Sequence, residues 1–386
     1  MAFLFCIILI MCYCLVTFSS FYQPKEARME IKNIGAKVTL LVIGEPKDWD
    51  AYLKMCRNLR SEKLKNYNYV IETYESLAEN NLPTIDSEVV LVFLFFPHSH
   101  WNKYIECKGY TGLYGNCQFY QKFLQFWSKI NMLILSHYHD KTVYYLNHPL
   151  YISTDRDKEL TKLILQGAGV NVPESIFTRE YEQIVQLVEA GENLYLKVRY
   201  GSMGKGITCV EQGKWRTNFE FVDGKIVNCD SEYNWRFHDI TGNEQFLREL
   251  LQKDIVIEKA VPTGLIRGFR YDLRFYVFLG QVLYVYARVN DSESVTTNIS
   301  QGGQGRDARF LQNIPPRALE KAKKIAIRAA KALALDLAGV DVMFSADFKQ
   351  IYVVELNAFP GYPSSKGFNL SRRILEVLDQ TAWEVK

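Results

Sequence analysis

The sequence predicts a mixed α/β (α+β) protein, in which a small parallel-sheet domain precedes two α+β subdomains. After Met29 the pattern alternates between apolar strands and helices at the spacing of a parallel sheet with covering helices. From Asn193 onward it becomes strand-rich with tight turns, which indicates hairpins. The 386 residues are 48% hydrophobic and 23% charged, as in folded chains of two or three domains.

Charge and cysteine content exclude several classes of protein. The net charge is +3, from 46 basic and 43 acidic residues, so no concentrated basic face and no nucleic-acid partner are expected. The eight cysteines contain no C-x-x-C pair. Their spacing indicates free thiols rather than a zinc site or a disulfide framework.

Residues 1–28 form a hydrophobic amino-terminal segment whose residues 2–22 carry no charge. That length suffices for a membrane span, and the basic residues just after it favour a cytoplasmic catalytic domain anchored by an amino-terminal helix. Two alternatives stay open. Met29 opens a normal start for an α/β enzyme, so the segment could be a mis-assigned start, or it could be a cleaved signal.

The amino-terminal domain is predicted to span residues 29–150. Its clearest strand is the continuous apolar run 88–96, which is typical of a strand buried on both faces. The other predicted strands are 37–43 and 69–73, and the predicted helices are 48–63 and 117–130.

A second unit is predicted at 151–386, divided into subdomains at about 173–262 and 263–386. It opens with a helix that Asp155 or Thr154 can cap and that Gly167 ends. Strands are predicted at 194–198, 206–210, 255–261, 272–279, 282–289, 341–344 and 350–356. A long helix is predicted at 317–337, closed by Gly339.

A glycine-rich loop, residues 201–206, lies between two of these strands. It is not a P-loop, because it does not open a helix and lacks Ser or Thr after Lys205. Backbone N–H groups of such a hairpin can still bind phosphate oxygens. Lys197, on the strand before the loop, can place a cation near the same phosphates.

A cluster near the carboxyl terminus indicates a metal site. Glu355 and Asn357 alternate on one predicted strand and therefore share a face, while Asp341 lies on the preceding strand. Two carboxylates and an amide oxygen are hard ligands that suit Mg²⁺, with phosphate oxygens and water completing its shell.

The middle hairpin adds two arginines, Arg274 and Arg288, and the acidic residue Asp272. Arginines within apolar, aromatic strands usually have an anionic partner. The strand register is not fixed by the sequence, so it stays open whether the two arginines point together.

Taken in order, these motifs resemble the ATP-grasp superfamily, and within it the carboxylate–amine ligases similar to the ribosomal-protein S6 glutamate ligase. The resemblance covers roughly residues 140–370. It rests on DKELTKLILQGAGVNVP (157–173), LYLKVRYGSMGKGI (194–207), IVIEKAV (255–261), YDLRFYVFLGQVLYVYARV (271–289), TNISQGG (297–303), AGVDVMF (338–344) and VVELNAFPGYP (353–363). It implies an ATP-grasp fold behind a pre-grasp domain.

The resemblance also implies roles for particular residues. Phosphate contacts are implied for Lys158 and Lys197. The covering loop is implied to be Ser202, Met203, Gly204, Lys205 and Gly206. The adenine pocket is implied to be Glu258, Lys259, Ala260 and Val261. Catalytic roles are implied for Arg274, Arg288 and Asn298. The metal ligands are implied to be Asp341, Glu355 and Asn357, holding two Mg²⁺ ions, with Mn²⁺ as an alternative. No acidic ligand for the ribose follows the adenine segment, and Asp272 is the nearest candidate.

The expected reaction is ATP-dependent formation of a C–N bond through an acyl phosphate, on a small molecule or peptide that supplies carboxylate and amine. Two alternatives stay open. The ending NAFPGY (357–362) is similar to that of inositol-phosphate kinases of the same fold, which would phosphorylate a hydroxyl. A non-catalytic, membrane-associated ATP-binding module is the other. Substrate identity and oligomeric state are not predicted.

Overall fold

A computed structural model describes residues 38–45, 50–61, 64–106, 112–229, 235–306, 308–363 and 368–381. The apolar segment 2–22 and Met29 lie outside these ranges, so the anchor, the alternative start and the cleaved signal stay predictions. Within the described ranges, no helix is both long and apolar enough to cross a membrane.

Four parallel strands in the order β2-β1-β3-β4 form the amino-terminal sheet, which confirms the predicted parallel architecture. The strands are β1 (Val38–Gly44), β2 (Tyr67–Thr73), β3 (Val89–Leu94) and β4 (Thr142–Leu146). Every residue of β1 and β3 is buried, because helices cover both faces of the sheet. The helices are α1 (Asp50–Ser61), α2 (Tyr74–Ala78), α3 (His98–His100) and α4 (Cys117–His137). Strand β4 was not predicted, since it is short and only its last residue is fully buried.

A linker, residues 147–157, leads out of this sheet. It contains α5 (Pro149–Ile152) and a 3₁₀ turn, Ser153–Arg156, and is followed by α6 (Lys158–Gly167). Asp157 caps α6 by accepting bonds from the backbone N–H groups of Glu159 and Leu160. The predicted caps, Thr154 and Asp155, were therefore wrong, because both lie in the 3₁₀ turn.

The second sheet has six strands in the order β11-β8-β7-β6-β12-β5. Its strands are β5 (Ser175–Ile176), β6 (Leu194–Val198), β7 (Ile207–Glu211), β8 (Lys214–Thr217), β11 (His238–Asp239) and β12 (Ile255–Lys259). A separate two-stranded ribbon consists of β9 (Glu220–Val222) and β10 (Lys225–Val227). The helices α7 (Tyr181–Glu189) and α8 (Glu244–Leu251) pack against each other.

The third sheet is antiparallel, with strand order β15-β14-β13-β16-β17. Its strands are β13 (Phe269–Phe278), β14 (Gln281–Asp291), β15 (Gln304–Arg306), β16 (Leu337–Phe344) and β17 (Ile351–Asn357). The remaining helices are α9 (Ala308–Leu311), α10 (Pro316–Ala332) and α11 (Leu370–Gln380).

The long helix α10 ends earlier than predicted. It stops at Ala332, and Ala334 then adopts a left-handed conformation with φ 54° that a helix cannot continue through. Gly339, predicted to close the helix, instead lies inside β16. A side chain there would come within 2.7 Å of the Cβ atom of Pro360, so the glycine permits close packing.

Candidate active site

A cleft of about 420 Å³ lies between the second and third sheets. Most of the predicted site residues line it, although they come from distant parts of the chain. They are Lys158, Lys197, Ser202, Gly204, Lys205, Glu258, Lys259, Ala260, Val261, Asp272, Arg288, Asn298, Asp341 and Glu355. The others do not line it; they are Met203, Gly206, Arg274 and Asn357.

One wall of the cleft carries a buried carboxylate between two lysines. Glu258 is only 4% exposed and forms ion pairs with Lys197 and, at 2.6 Å, with Lys162. Burial alone would raise the pKa of Glu258, but the two ammonium groups hold it below its usual value. Lys162 was missed in the sequence. Its position four residues after Lys158, on the same face of α6, was the available signal.

The glycine-rich loop lies against the segment that follows β14. Gly204 has φ 71°, and a side chain there would come within 2.7 Å of Nδ2 of Asn298. The Ser300 hydroxyl donates to the Met203 carbonyl at 2.9 Å. Below the loop, Nδ2 of Asn218 donates to the Gly204 carbonyl at 2.6 Å. Two predicted motifs, the glycine loop and TNISQGG, therefore meet at the mouth of the cleft.

Three side chains join the glycine loop to the amino-terminal part of the chain, and we call them the loop tether. Glu106 pairs with Lys205 at 2.7 Å, and the Tyr114 hydroxyl accepts the Ser202 N–H at 3.0 Å. Arg156 donates to the Ser202 hydroxyl at 2.7 Å, and its guanidinium lies over the aromatic rings of Phe96, Trp101 and Phe123. The tether was not predicted, because its members are far from the loop in sequence.

The two arginines of the hairpin do point together, which the sequence left open. Arg288 binds Asp272, its partner across β13 and β14, and reaches Asp341 at 2.8 Å. Arg274 binds both Asp341 oxygens at 2.6 Å. Burial would raise the pKa of Asp341, but the two guanidinium groups lower it below its usual value. The Thr297 hydroxyl also donates to Asp272, at 2.7 Å.

The residues predicted to hold Mg²⁺ lie side by side on β16 and β17. Asp341 pairs with Glu355, and Asn357 pairs with Gly339, next to a β-bulge after Asp341. Nδ2 of Asn357 is buried and has no partner among the described residues. Nowhere in the described ranges do three acidic, histidine or cysteine side chains converge to hold a metal by themselves. The oxygen donors therefore fit an ion such as Mg²⁺, which takes part of its shell from phosphate and water.

Two buried polar atoms near the cleft have no partners in the described structure. They are Nε of Arg270 and Oγ1 of Thr296, both on cleft-lining residues. Another nitrogen of Arg270, Nη1, donates to the Tyr195 hydroxyl at 2.7 Å and approaches the Val295 carbonyl at 3.4 Å. Leaving such atoms unpaired costs roughly 1–3 kcal/mol each, so a bound group that pairs with them is favoured.

Known proteins share this architecture. The chain is 25% identical over 235 residues to a probable alpha-L-glutamate ligase of Histophilus somni (strain 2336), covering 61% of this chain and 66% of that protein. The fold matches the ATP-grasp ligase PsnB in a complex with minimal precursor, Mg and ADP, with a TM-score of 0.54 and 16% identity over 89% of this chain and 97% of that one. It also matches the D-alanine–D-alanine ligase of Bacillus anthracis complexed with ATP, with a TM-score of 0.50 and 14% identity over 91% and 97%.

A family model matches more than half of the sequence. Residues 166–382 fit the model described as YheC/D like ATP-grasp, a range that begins in α6 and includes the second and third sheets. The solved structures share the fold of the described chain. The chain belongs to the YheC/D-like ATP-grasp family.

Proposed function

We propose that the chain is an ATP-dependent carboxylate–amine ligase that acts through an acyl-phosphate intermediate. One observation carries the proposal: a single cleft is lined by two lysines, a strand-end segment and two carboxylates. They are Lys158, Lys197, the segment 258–261, Asp341 and Glu355. Cations, a backbone segment and oxygen donors are what a magnesium nucleotide requires.

In this proposal the nucleotide lies along the cleft. The segment 258–261 lines the adenine, partly through its backbone. Lys158 and Lys197 contact the phosphates, and the loop residues 202–206 cover them, with backbone N–H groups aimed at the oxygens. Lys158 is partly buried, and loss of solvent lowers the pKa of its ammonium group, so a phosphate would stabilise the charged form.

In this proposal Arg288 and Asn298, which line the cleft, lie where charge develops, and Arg274 joins them through Asp341, which both arginines bind. A carboxylate oxygen of the acceptor attacks the γ-phosphorus, and ADP leaves as the acyl phosphate forms. The amine nitrogen then attacks the carbonyl carbon, phosphate departs, and the nitrogen loses a proton as the amide is completed. The guanidinium groups stabilise the transferring phosphoryl group and the tetrahedral oxyanion. We propose that Asp272 orients Arg288, since Arg288 and Thr297 already occupy its oxygens.

Asp341, Glu355 and Asn357 would hold Mg²⁺, which neutralises phosphate charge when bound. Oδ1 of Asp341 accepts a single arginine bond, from Arg274, and keeps a second lone pair for a metal, whereas Oδ2 contacts both Arg274 and Arg288. Two ions and a role for Mn²⁺ are parts of the same proposal.

Steady-state ADP release tests the proposal, using a panel of amino acids, peptides and polyol phosphates as substrates. We expect ADP and phosphate in equal amounts together with an amide product. Glu355→Gln should lower turnover at least 100-fold, because a metal ligand loses its charge. Glu320→Gln on the exposed face of α10 is the control.

Two outcomes, one of this assay and one of an experiment in cells, would contradict the ligase. A stable phosphorylated polyol would establish the kinase alternative. Unchanged cellular function of Glu355→Gln would support a non-catalytic module. The substrate class is proposed from the names of similar proteins, which mention glutamate and a precursor peptide, so amino acids and peptides come first in the panel.

A further inference from the structure

We propose that Asn147 and Asp155, two residues of the linker, are positioning residues that hold Asn357 in its metal-binding place. This inference rests on the proposed function, because Asn357 is one of the three metal ligands proposed there. Neither linker residue lines the cleft. Both act through Ala358, the next residue in the chain after Asn357.

Both backbone polar groups of Ala358 form hydrogen bonds with side chains of the linker. Its N–H donates to Oδ2 of Asp155 at 2.6 Å, and its carbonyl accepts from Nδ2 of Asn147 at 3.0 Å. Strand β17 ends at Asn357, whose pairing with Gly339 is the last rung of the β16–β17 ladder. The two linker side chains therefore supply the bonds that the ladder no longer makes.

Asn147 also holds the other strand of the metal site. Its side chain accepts the Leu337 N–H at 2.9 Å and donates to the Leu337 carbonyl at 2.7 Å. Leu337 begins β16, the strand that carries Asp341. Asn147 is 4% exposed and has φ 64°, a left-handed conformation that asparagine adopts more readily than most residues. One buried amide thus fixes the start of β16 against the end of β17.

The position of the Asn357 amide depends on this backbone. Its Nδ2 has no partner within the described part of the chain, so this nitrogen makes no bond that would orient the group. Mg²⁺ requires near-ideal octahedral geometry at about 2.0–2.1 Å, and a small displacement of a ligand oxygen is therefore costly. Partners that orient metal ligands are typically worth about 10- to 100-fold in metal affinity or activity.

Calorimetry of ADP binding to the full chain, with Mg²⁺ and with a chelator, tests the inference. Asn147→Gly removes all three bonds but tolerates the left-handed backbone. Asp155→Ala removes the acceptor, whereas Asp155→Asn keeps an oxygen that can accept the Ala358 N–H. We expect the first two variants to lose about tenfold or more of the affinity that Mg²⁺ adds. Their metal-free affinity should stay unchanged, and Asp155→Asn should remain close to the unmodified protein.

A matched control separates positioning from general destabilisation. Val188→Ala, in the buried face of α7, lowers stability away from the linker. The inference is overturned if Val188→Ala, at a similar melting temperature, loses the same Mg²⁺ dependence. It is also overturned, with the proposed function intact, if Asn147→Gly and Asp155→Ala keep the full effect of Mg²⁺. Absence of ADP binding by the unmodified protein would instead overturn the proposed function, and this inference with it.

Discussion

Arg270 lines the cleft and indicates where the ribose of a bound nucleotide would lie. Its Nε atom and the Thr296 hydroxyl are buried atoms of cleft-lining residues, and neither has a partner in the described structure. Arg270 lies four residues before Arg274 on β13, about 13 Å along the strand. The three phosphates of a nucleotide separate its ribose from the reacting phosphorus, so ribose hydroxyls are the fitting partners. This arrangement would fill the place of the acidic ligand that the sequence lacks.

We therefore predict that Arg270 donates hydrogen bonds to the ribose hydroxyls. The unmodified protein should bind ADP about tenfold more tightly than 2′-deoxy-ADP or 3′-deoxy-ADP, because hydrogen bonds to charged groups are worth about 1.5–3 kcal/mol. Arg270→Met should bind all three alike. Arg317→Met, an exposed arginine of α10, should keep the preference. Equal affinities for the three nucleotides in the unmodified protein would contradict the prediction.

Among single residues, those in motifs were predictable and those paired through the fold were not. Lys197, Asp341 and Glu355 all line the cleft as expected. The pairing of Arg274 and Arg288 on one carboxylate depends on strand register, and a slip of one residue turns every side chain to the other face. The β13–β14 pairing contains an irregularity after Tyr276, and the sequence carries no signal for it.

Among the secondary-structure elements, the glycine-rich hairpin between β6 and β7 offers a sharp comparison. Gly204 and Gly213, which lies in the next turn between β7 and β8, have nearly the same φ, 71° and 70°. An added methyl group would come within 2.7 Å of Asn298 at Gly204, but would meet nothing within 4 Å at Gly213. Alanine at either site costs roughly 1–2 kcal/mol for the left-handed backbone.

The two alanine variants should therefore differ in binding but not in stability. Gly204→Ala should weaken Mg-ADP binding about tenfold or more, because it moves the Asn298 amide from the mouth of the cleft. Gly213→Ala should lower the melting temperature by a similar amount and leave the affinity unchanged. Calorimetry and thermal unfolding give both quantities. Equal affinities of the two variants for Mg-ADP would show that Asn298 does not contribute to nucleotide binding.

The apolar pattern of the sequence predicted some elements correctly and misplaced the end of one helix. The alternation of strands and helices predicted the parallel sheet, and the continuous apolar run of β3 predicted a strand buried on both faces, as the structure has it. The end of α10 was predicted too late. Leu333 and Leu335 continue its apolar pattern, but they are buried in the turn toward β16 rather than on the helix. Apolar spacing alone does not distinguish these two kinds of burial.

For the molecule taken together, the loop tether links the amino-terminal part to the cleft. Glu106→Gln should keep the bond that the Trp101 indole donates but weaken the contact with Lys205, whose side chain is 3% exposed. We predict that amide hydrogens of residues 201–206 exchange about fivefold faster, which corresponds to roughly 1 kcal/mol. Glu293→Gln, which loses the exposed pair with Lys214, is the control. Unchanged exchange in Glu106→Gln would show that the contact does not restrain the loop.

The loop tether also bears on how such enzymes can be recombined. A chimera that grafts a foreign amino-terminal domain onto residues 151–386 would lose Glu106 and Tyr114, while it kept Arg156 and the glycine loop itself. The chimera would then gain the new substrate preference, but its glycine loop would be held less firmly over the nucleotide. An exchanged amino-terminal domain should therefore keep a glutamate at position 106, which pairs with Lys205. It should also keep a tyrosine at position 114, which bonds to Ser202.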